Sequence, residues 1–479
     1  MKNSVALLVA LALPTLGKLS LRQRDSPAVV GLNIKRNEIS DPVTRDRKRW
    51  KRDKTVGVAL ENEEALYFCN VSLGTPAQDL RLVIDTGSSD LWVNAPNSTL
   101  CEDHREACDW SGTYDPSKSS TVSYVNDDFN ITYADDSGAT GNYLTDTLRI
   151  GGSSLKNFQF GVGYTSSSAE GVLGIGYPLN EAQVGVAGQT TYANLPKAMV
   201  NNGLIRSSAY SLWLNDLDSN EGSILFGGVD TAKYHGSLET LPIQKTYGEY
   251  TAFYIALTSL SLTNSSGTTE FSSKSLPSAA LLDSGSSLTY LPDSIVTDIY
   301  DALGVTWEAS QQTAYLPCSI AKKDYNISYT FSSPTINVAI SELILGFTGA
   351  TYSDGEEACV FGLNPSGGST SLLGDTFLRS AYVVYDISNN EISLANTNFN
   401  TQDSHVVEIG TGDDAVPGAT AVANPVTTIA VGTEGARIGG AGGSSSTGVI
   451  SGGTQNAAAR PTGMASHFAL GLGAALLAF

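Results

Sequence analysis

The sequence predicts an all-β chain folded as two similar lobes, and three observations carry that reading. First, a short motif occurs twice: residues 82–93 read LVIDTGSSDLWV and residues 280–291 read ALLDSGSSLTYL, placing Asp85 and Asp283 198 residues apart. Second, each copy is followed by a hydrophobic-hydrophobic-Gly element at nearly the same offset. GVLGIGYP puts Gly174 89 residues after Asp85, and SLLGDTFL puts Gly374 91 residues after Asp283. Third, from about residue 60 to 400 the chain alternates short apolar or period-two runs (YFCNVSL, LRLVID, SAYSLWL, SILFGG, YIALTSLSL, AYVVYDI) with Gly, Ser, Asn, Asp and Pro turns. Helical periods are few, the best being PKAMVNNGLI near Lys197 and DSIVTDIYDALG near Asp298. Duplication predicts two lobes, residues 53–240 and 241–400, each setting an Asp-bearing loop beside an apolar strand that threads past it.

The segments outside the lobes have their own signatures. Residues 1–17 (MKNSVALLVALALPTLG) combine Lys2, an apolar run from Val5 to Leu13 and small residues after Pro14, the layout of a secretory signal peptide rather than of a buried N-terminal helix. Residues 18–52 hold 11 Lys+Arg against 4 Asp+Glu and end TRDRKRWKR, which reads as a basic propeptide cut after Lys51-Arg52, with Lys48-Arg49 the second choice. Taking that segment and Lys2 from totals of 28 basic and 48 acidic residues leaves 16 against 44, a net of −28. So acidic a body repels polyanions and excludes nucleic acid as a partner. It also suits work in acid, where carboxylates neutralise and self-repulsion falls.

Five N-x-S/T sequons agree with secretion: Asn70, Asn97, Asn130, Asn264 and Asn326. In an oxidising compartment the five cysteines allow two bonds and one leftover thiol. Cys101 and Cys108 bracket a short polar loop, Cys318 and Cys359 share the later half, and Cys69 in the strand-like LYFCNVSLG reads as a small buried apolar residue. With no C-x-x-C and four histidines, neither a metal site nor a cofactor is expected.

Beyond residue 401 aromatics vanish and Gly, Ala, Ser, Thr and Val dominate, so 401–456 is expected to be a disordered stalk. The terminal HFALGLGAALLAF is too short to span a bilayer. Preceded at a suitable spacing by Asn456-Ala457-Ala458, it reads as a GPI attachment signal, residues 457–479, removed on maturation; Gly452 or Gly453 are other attachment points. A lipid membrane reached through that anchor is then one partner.

Two carboxyl groups brought face to face cannot both ionise cheaply, so the pair shares a proton across acid pH. The charged oxygen can take a proton from a lodged water while the protonated partner polarises a substrate carbonyl. The residues beside each Asp suit that work. Gly87 and Gly285 let the backbone turn tightly and donate N–H groups to the carboxylates. Ser88 and Ser286 reach the outer oxygens, while Thr86 and Ser284 point away and tie the two loops together. One D-T/S-G-S alone would read as an ordinary turn; two in matched contexts do not.

The chain resembles the pepsin-like aspartic proteases (family A1), and among them the fungal yapsin-type, GPI-anchored members. The residues that carry the resemblance are NVSLGTPAQ (70–78), LVIDTGSSDLWV, NITYADDSGATG (130–141), GVLGIGYP, ALLDSGSSLTYLP and SLLGDTFLRSAYVVYD (371–386), in family order over about 330 residues. The resemblance implies a bilobal pepsin-like fold of two six-stranded-type β lobes around a cleft, with Asp85 and Asp283 as catalytic dyad. It also implies a β-hairpin flap carrying Tyr133, whose hydroxyl reaches toward Trp92. The expected activity is endopeptidase cleavage of polypeptides at acid pH by a monomer. The flap departs from the usual Tyr-Gly, reading Tyr133-Ala134-Asp135-Asp136. Yapsin-type relatives cut after Lys or Arg, and Asp135 and Asp136 would attract such a cation; an ordinary apolar pocket is the alternative. A non-catalytic cell-surface or wall protein on the same fold would be favoured by loss of either Asp, and both are present. A serine protease is disfavoured because His104, His235, His405 and His467 sit in no triad motif.

Overall fold

Asp85 and Asp283 each lie at the end of a strand with the same surroundings. In the first half, Gln78–Asp85 runs parallel to Gly171–Gly174, with Asp85 opposite Gly174, and Gly171–Gly174 pairs antiparallel with Leu91–Asn94. In the second half, Ser278–Leu282 runs parallel to Ser371–Leu373, which pairs antiparallel with Thr289–Leu291. The repeat seen in the sequence is therefore a repeated three-strand unit. Its centre strands are apolar without alternation because both their faces are covered. Ile84, Leu173, Leu282 and Leu373 are all buried, and each such side chain stabilises by about 1.5–3 kcal/mol.

This computed structural model describes residues 28–36, 66–103, 108–133, 137–219, 221–309, 311–427 and 429. Its architecture is all-β. A 14-stranded sheet carries the described strands of the first half up to Phe226, including Glu221–Phe226 and Ala209–Trp213, and takes in Ala381–Asp386, Glu391–Thr397 and Tyr234–Pro242, while Gly228–Asp230 forms a two-stranded sheet with Val406–Glu408. Sheets of five, four and four strands complete the second half. Of the two helical readings, Asp293–Leu303 turns Ile295, Val296, Ile299, Tyr300 and Leu303 inward, the face expected of a helix on a core, and Leu195–Asn201 opens with Pro196 in its first turn.

Three boundaries differ from the sequence reading. The border at 240/241 cuts through the strand Tyr234–Pro242, which pairs with Glu391–Thr397; Ala381–Asp386 likewise pairs with Ala209–Trp213, so the two lobes share one sheet. Inside the expected propeptide, Val30–Arg36 is a strand paired with Glu221–Phe226 and with Tyr67 and Phe68. It buries Val30, Leu32 and Ile34 and turns Gly31, Asn33 and Lys35 outward, a period-two pattern that the basic flanks outweigh by composition. The expected stalk does not begin at 401. Val406–Glu408 pairs with Gly228–Asp230, Ala419–Ala421 lies parallel to Leu238–Thr240, and Ile409, Ala415 and Val416 are buried. Those apolar residues give the segment a face to bury despite its low-complexity composition. The signal peptide, the Lys51-Arg52 site, Asn456 and residues 457–479 lie outside the described residues.

The cysteines pair as Cys101–Cys108 and Cys318–Cys359, leaving Cys69 a buried thiol. Burial pushes the Cys69 thiol up to about 12. No described helix is long and apolar enough to cross a membrane.

Candidate active site

The two Asp turns are wired alike. The Gly87 N–H donates to Asp85 Oδ1 at 2.7 Å and the Ser88 hydroxyl to Asp85 Oδ2 at 2.5 Å. The Gly285 N–H donates to Asp283 Oδ1 at 2.9 Å and the Ser286 hydroxyl to Asp283 Oδ2 at 2.7 Å. Each carboxyl group is thus fixed at both oxygens, and both side chains are buried. The strands beneath hold the turns in place: Ile175 N–H donates to Asp85 O at 3.0 Å, and Asp283 N–H to Leu373 O at 3.1 Å.

The turns are also joined to each other. The Thr86 hydroxyl donates to Leu282 O at 2.9 Å and the Ser284 hydroxyl to Ile84 O at 2.9 Å. Thr86 N–H donates to Ser284 Oγ at 3.2 Å, and Ser284 N–H to Thr86 Oγ1 at 3.0 Å. Thr86 and Ser284 thus link the two loops by four hydrogen bonds.

The glycines are required for a reason other than turning tightly. A Cβ on Gly87 would stand 2.6 Å from Asp283 Oδ1 and 2.8 Å from its Cγ; one on Gly285 would stand 2.5 Å from Asp85 Oδ1 and 2.7 Å from its Cγ. Neither residue has a positive φ. Glycine is needed because each turn packs against the carboxyl group of the other, which brings Asp85 and Asp283 together.

The hairpin formed by Ser123–Thr132 and Gly138–Ile150 closes with Tyr133 N–H donating to Ser137 O at 2.8 Å. Trp92 Nε1–H donates to the Tyr133 hydroxyl at 2.7 Å, joining the hairpin tip to the strand that follows the first Asp turn. Phe129 of the same hairpin packs against Trp92, centroids 6.2 Å apart. Asp135 and Asp136 lie outside the described residues. Among the sequons, Asn70, Asn97 and Asn130 are exposed and Asn264 and Asn326 half-buried. No metal-binding group of acids, histidines or cysteines is found among the described residues.

One set of residues beside the site was not singled out from the sequence. Asp90, five positions after Asp85 and fully buried, accepts from the Tyr143 hydroxyl at 2.6 Å, the Tyr192 hydroxyl at 3.1 Å and Ala182 N–H at 2.7 Å. Asn180 Nδ2 donates to Gly87 O at 3.0 Å. Glu181 is fully buried between them and accepts from Tyr192 N–H at 2.7 Å. The available signal was NEAQ (180–183), one residue beyond GIGYP (174–178): four mostly polar residues attached to a strand that passes the first Asp.

The family model described as eukaryotic aspartyl protease matches residues 66–397. The chain is 60% identical, over 99% of its length and 98% of the relative's, to a protein of Aspergillus oryzae named probable aspartic-type endopeptidase opsB. It is 37% identical to the acid protease of Saccharomycopsis fibuligera over 75% of this chain and 88% of that one. It is also 37% identical to secreted aspartic protease 8 of Candida albicans, over 73% and 80%. The crystal structure of an aspartic proteinase from Irpex lacteus superposes with a TM-score of 0.57 at 22% identity, covering 78% of this chain and all of that one, a likeness of fold.

Proposed function

The chain belongs to the eukaryotic aspartyl protease family, and from that premise we propose that Asp85 and Asp283 together activate a water molecule to hydrolyse peptide bonds at acid pH. It is an aspartic-type endopeptidase; the proposal concerns which residues act and how. The observation that carries it is the crossed packing of the turns, each glycine against the opposite carboxyl group. Two carboxyl groups set this close can act as a pair, one as proton acceptor and the other as proton donor. The ionised partner takes a proton from water as the water oxygen attacks the substrate carbonyl carbon, and the protonated one hydrogen-bonds the carbonyl oxygen as charge develops there. The proton taken from water passes to the amide nitrogen as the C–N bond breaks and the amine leaves. Both acids come from one chain, so a monomer holds a complete site. The Tyr133 hairpin closes over the bound peptide, with Trp92 fixing the tyrosine hydroxyl.

The proposal extends to address and specificity. The leader, the sequons and the C-terminal signal support a glycoprotein carried through the secretory pathway and held at the cell surface by a GPI anchor at or near Asn456. Cleavage after Lys or Arg is supported by the yapsin-type resemblance and by the acidic charge of the chain. Assay of the secreted chain on a peptide library at acid pH, with and without pepstatin, tests both activity and specificity. Pepstatin-sensitive cleavage with Lys and Arg enriched before the scissile bond supports the activity and the basic specificity; enrichment of Phe and Leu replaces the cation-accepting pocket with an apolar one. Phospholipase C release from membranes tests the anchor.

A further inference from the structure

The segment after Gly174 seats the first Asp turn, and its one acid, Glu181, has no obvious place there. Ile175 N–H donates to Asp85 O, Gly176 N–H to Ser88 O, Asn180 Nδ2 to Gly87 O and Ala182 N–H to Asp90 Oδ2. In the middle sits Glu181, fully buried, with Oε2 bound to Tyr192 N–H and Oε1 lacking any hydrogen-bond partner. The nearby titratable group on the Asp85 loop is Asp90, another buried acid. The facing groups on the other packed elements are Tyr143 and Tyr192, both phenols. An ionised carboxylate in such surroundings, half unsolvated and beside an acid, is strongly disfavoured.

We propose that Glu181 is a positioning residue for the Asp85 turn: as a neutral acid it seats residues 178–183 against Asp90, and on ionising it drives that segment off and loosens both the turn and the base of the flap. The proposal rests on the reading of Asp85 as catalytic. Loosening reaches the flap through contacts already formed. Tyr192 packs edge-on to Tyr143 (5.8 Å), Tyr143 to Phe129 (5.3 Å), and Phe129 lies against Trp92, which holds Tyr133. Solvent is close at hand, since Tyr192 lines two cavities of about 390 and 270 Å³.

Burial, helped more weakly by Asp90 and opposed by the Tyr192 N–H, pushes the Glu181 carboxyl from about 4.5 up to about 10. Because the folded value is the higher one, its contribution to stability is complete below about 4.5 and drains away as pH rises from there toward about 10. The enzyme is therefore held in working shape in acid and released from it as the medium turns neutral and alkaline.

Glu181→Gln preserves the shape of the neutral acid and cannot ionise. Wild type and Glu181→Gln, as full secreted chains, are incubated across pH, then assayed for peptide cleavage in acid and followed by tryptophan fluorescence. The expected result is that Glu181→Gln moves the alkaline midpoint upward by about one pH unit or more in both signals. It should also move it further than Asp386→Asn, which removes a different buried acid whose pKa is raised by burial. Glu181→Ala, which empties the site, should lower kcat more than it raises KM at every pH. Equal midpoints for wild type and Glu181→Gln would overturn the proposal, as would a shift no larger than that of Asp386→Asn. The fluorescence signal does not depend on which residues perform the chemistry, so a failure of the Asp85 assignment would leave its shift intact and show only in the kinetics.

Discussion

Thr86 and Ser284, 198 residues apart, exchange hydrogen bonds: each backbone N–H donates to the other's side-chain hydroxyl, at 3.2 and 3.0 Å, across the join between the two lobes. All four groups are buried. Thr86→Val keeps the shape and removes the hydroxyl, leaving Ser284 N–H without its acceptor. The expected loss of stability is about 1–3 kcal/mol, as for any buried polar group left unpaired. A fall in kcat should accompany it, because the join also sets the spacing of the carboxyl groups. Denaturant titration and steady-state kinetics check this, with Thr86→Ser expected to restore both.

Gly285→Ala separates crowding from folding. The new Cβ has Asp85 Oδ1 2.5 Å away, closer than real Cβ contacts come. The carboxyl group or the whole turn must move, and misplacement of about 1 Å costs on the order of 100-fold in rate. The prediction is a loss of that size with an unfolding transition that remains cooperative. Near-normal kcat would mean the two turns are farther apart than the structure has them.

The strand Val30–Arg36 makes a third test. Ile34 is fully buried in the main core, between Glu221–Phe226 and the start of Tyr67–Leu73. Ile34→Ala in the full chain should cost about 2–5 kcal/mol, as a large-to-small change in a packed core does. The yield of folded chain lacking residues 28–36 should fall sharply, because Val30, Leu32 and Ile34 leave core faces uncovered together. Yield of folded protein and melting temperature measure the two effects.

What could be read in advance follows the range of the interactions. The Asp turns, the hairpin and the glycines sit in short motifs, so LVIDTGSSDLWV and ALLDSGSSLTYL were enough to place Asp85, Asp283 and the serines that hold them. The reason for Gly87 and Gly285 was not local: it depends on a carboxyl group from the other half of the chain. Glu181 is the extreme case, an acid among small and polar residues whose neighbour Asp90 lies 91 positions earlier. Nothing near it in sequence says that it is buried. Composition also hid two packed segments, the strand at Val30–Arg36 inside a basic stretch and the one at Val406–Glu408 inside a Gly/Thr-rich one.

Cleavage of an acid-pH peptide substrate by Asp85→Asn and by Asp283→Asn, each compared with wild type at matched folding by circular dichroism, tests the shared role of the two carboxyl groups most directly. Asn keeps the size of the side chain and one acceptor oxygen for the Gly N–H, with its amide NH2 facing the serine hydroxyl, but carries neither charge nor an acidic proton. The account predicts that each single variant loses about 10²–10⁴-fold or more in kcat, since neither half of the pair works alone. Either variant cleaving within about tenfold of wild type would contradict it, because a single carboxyl group would then be doing the work assigned here to two.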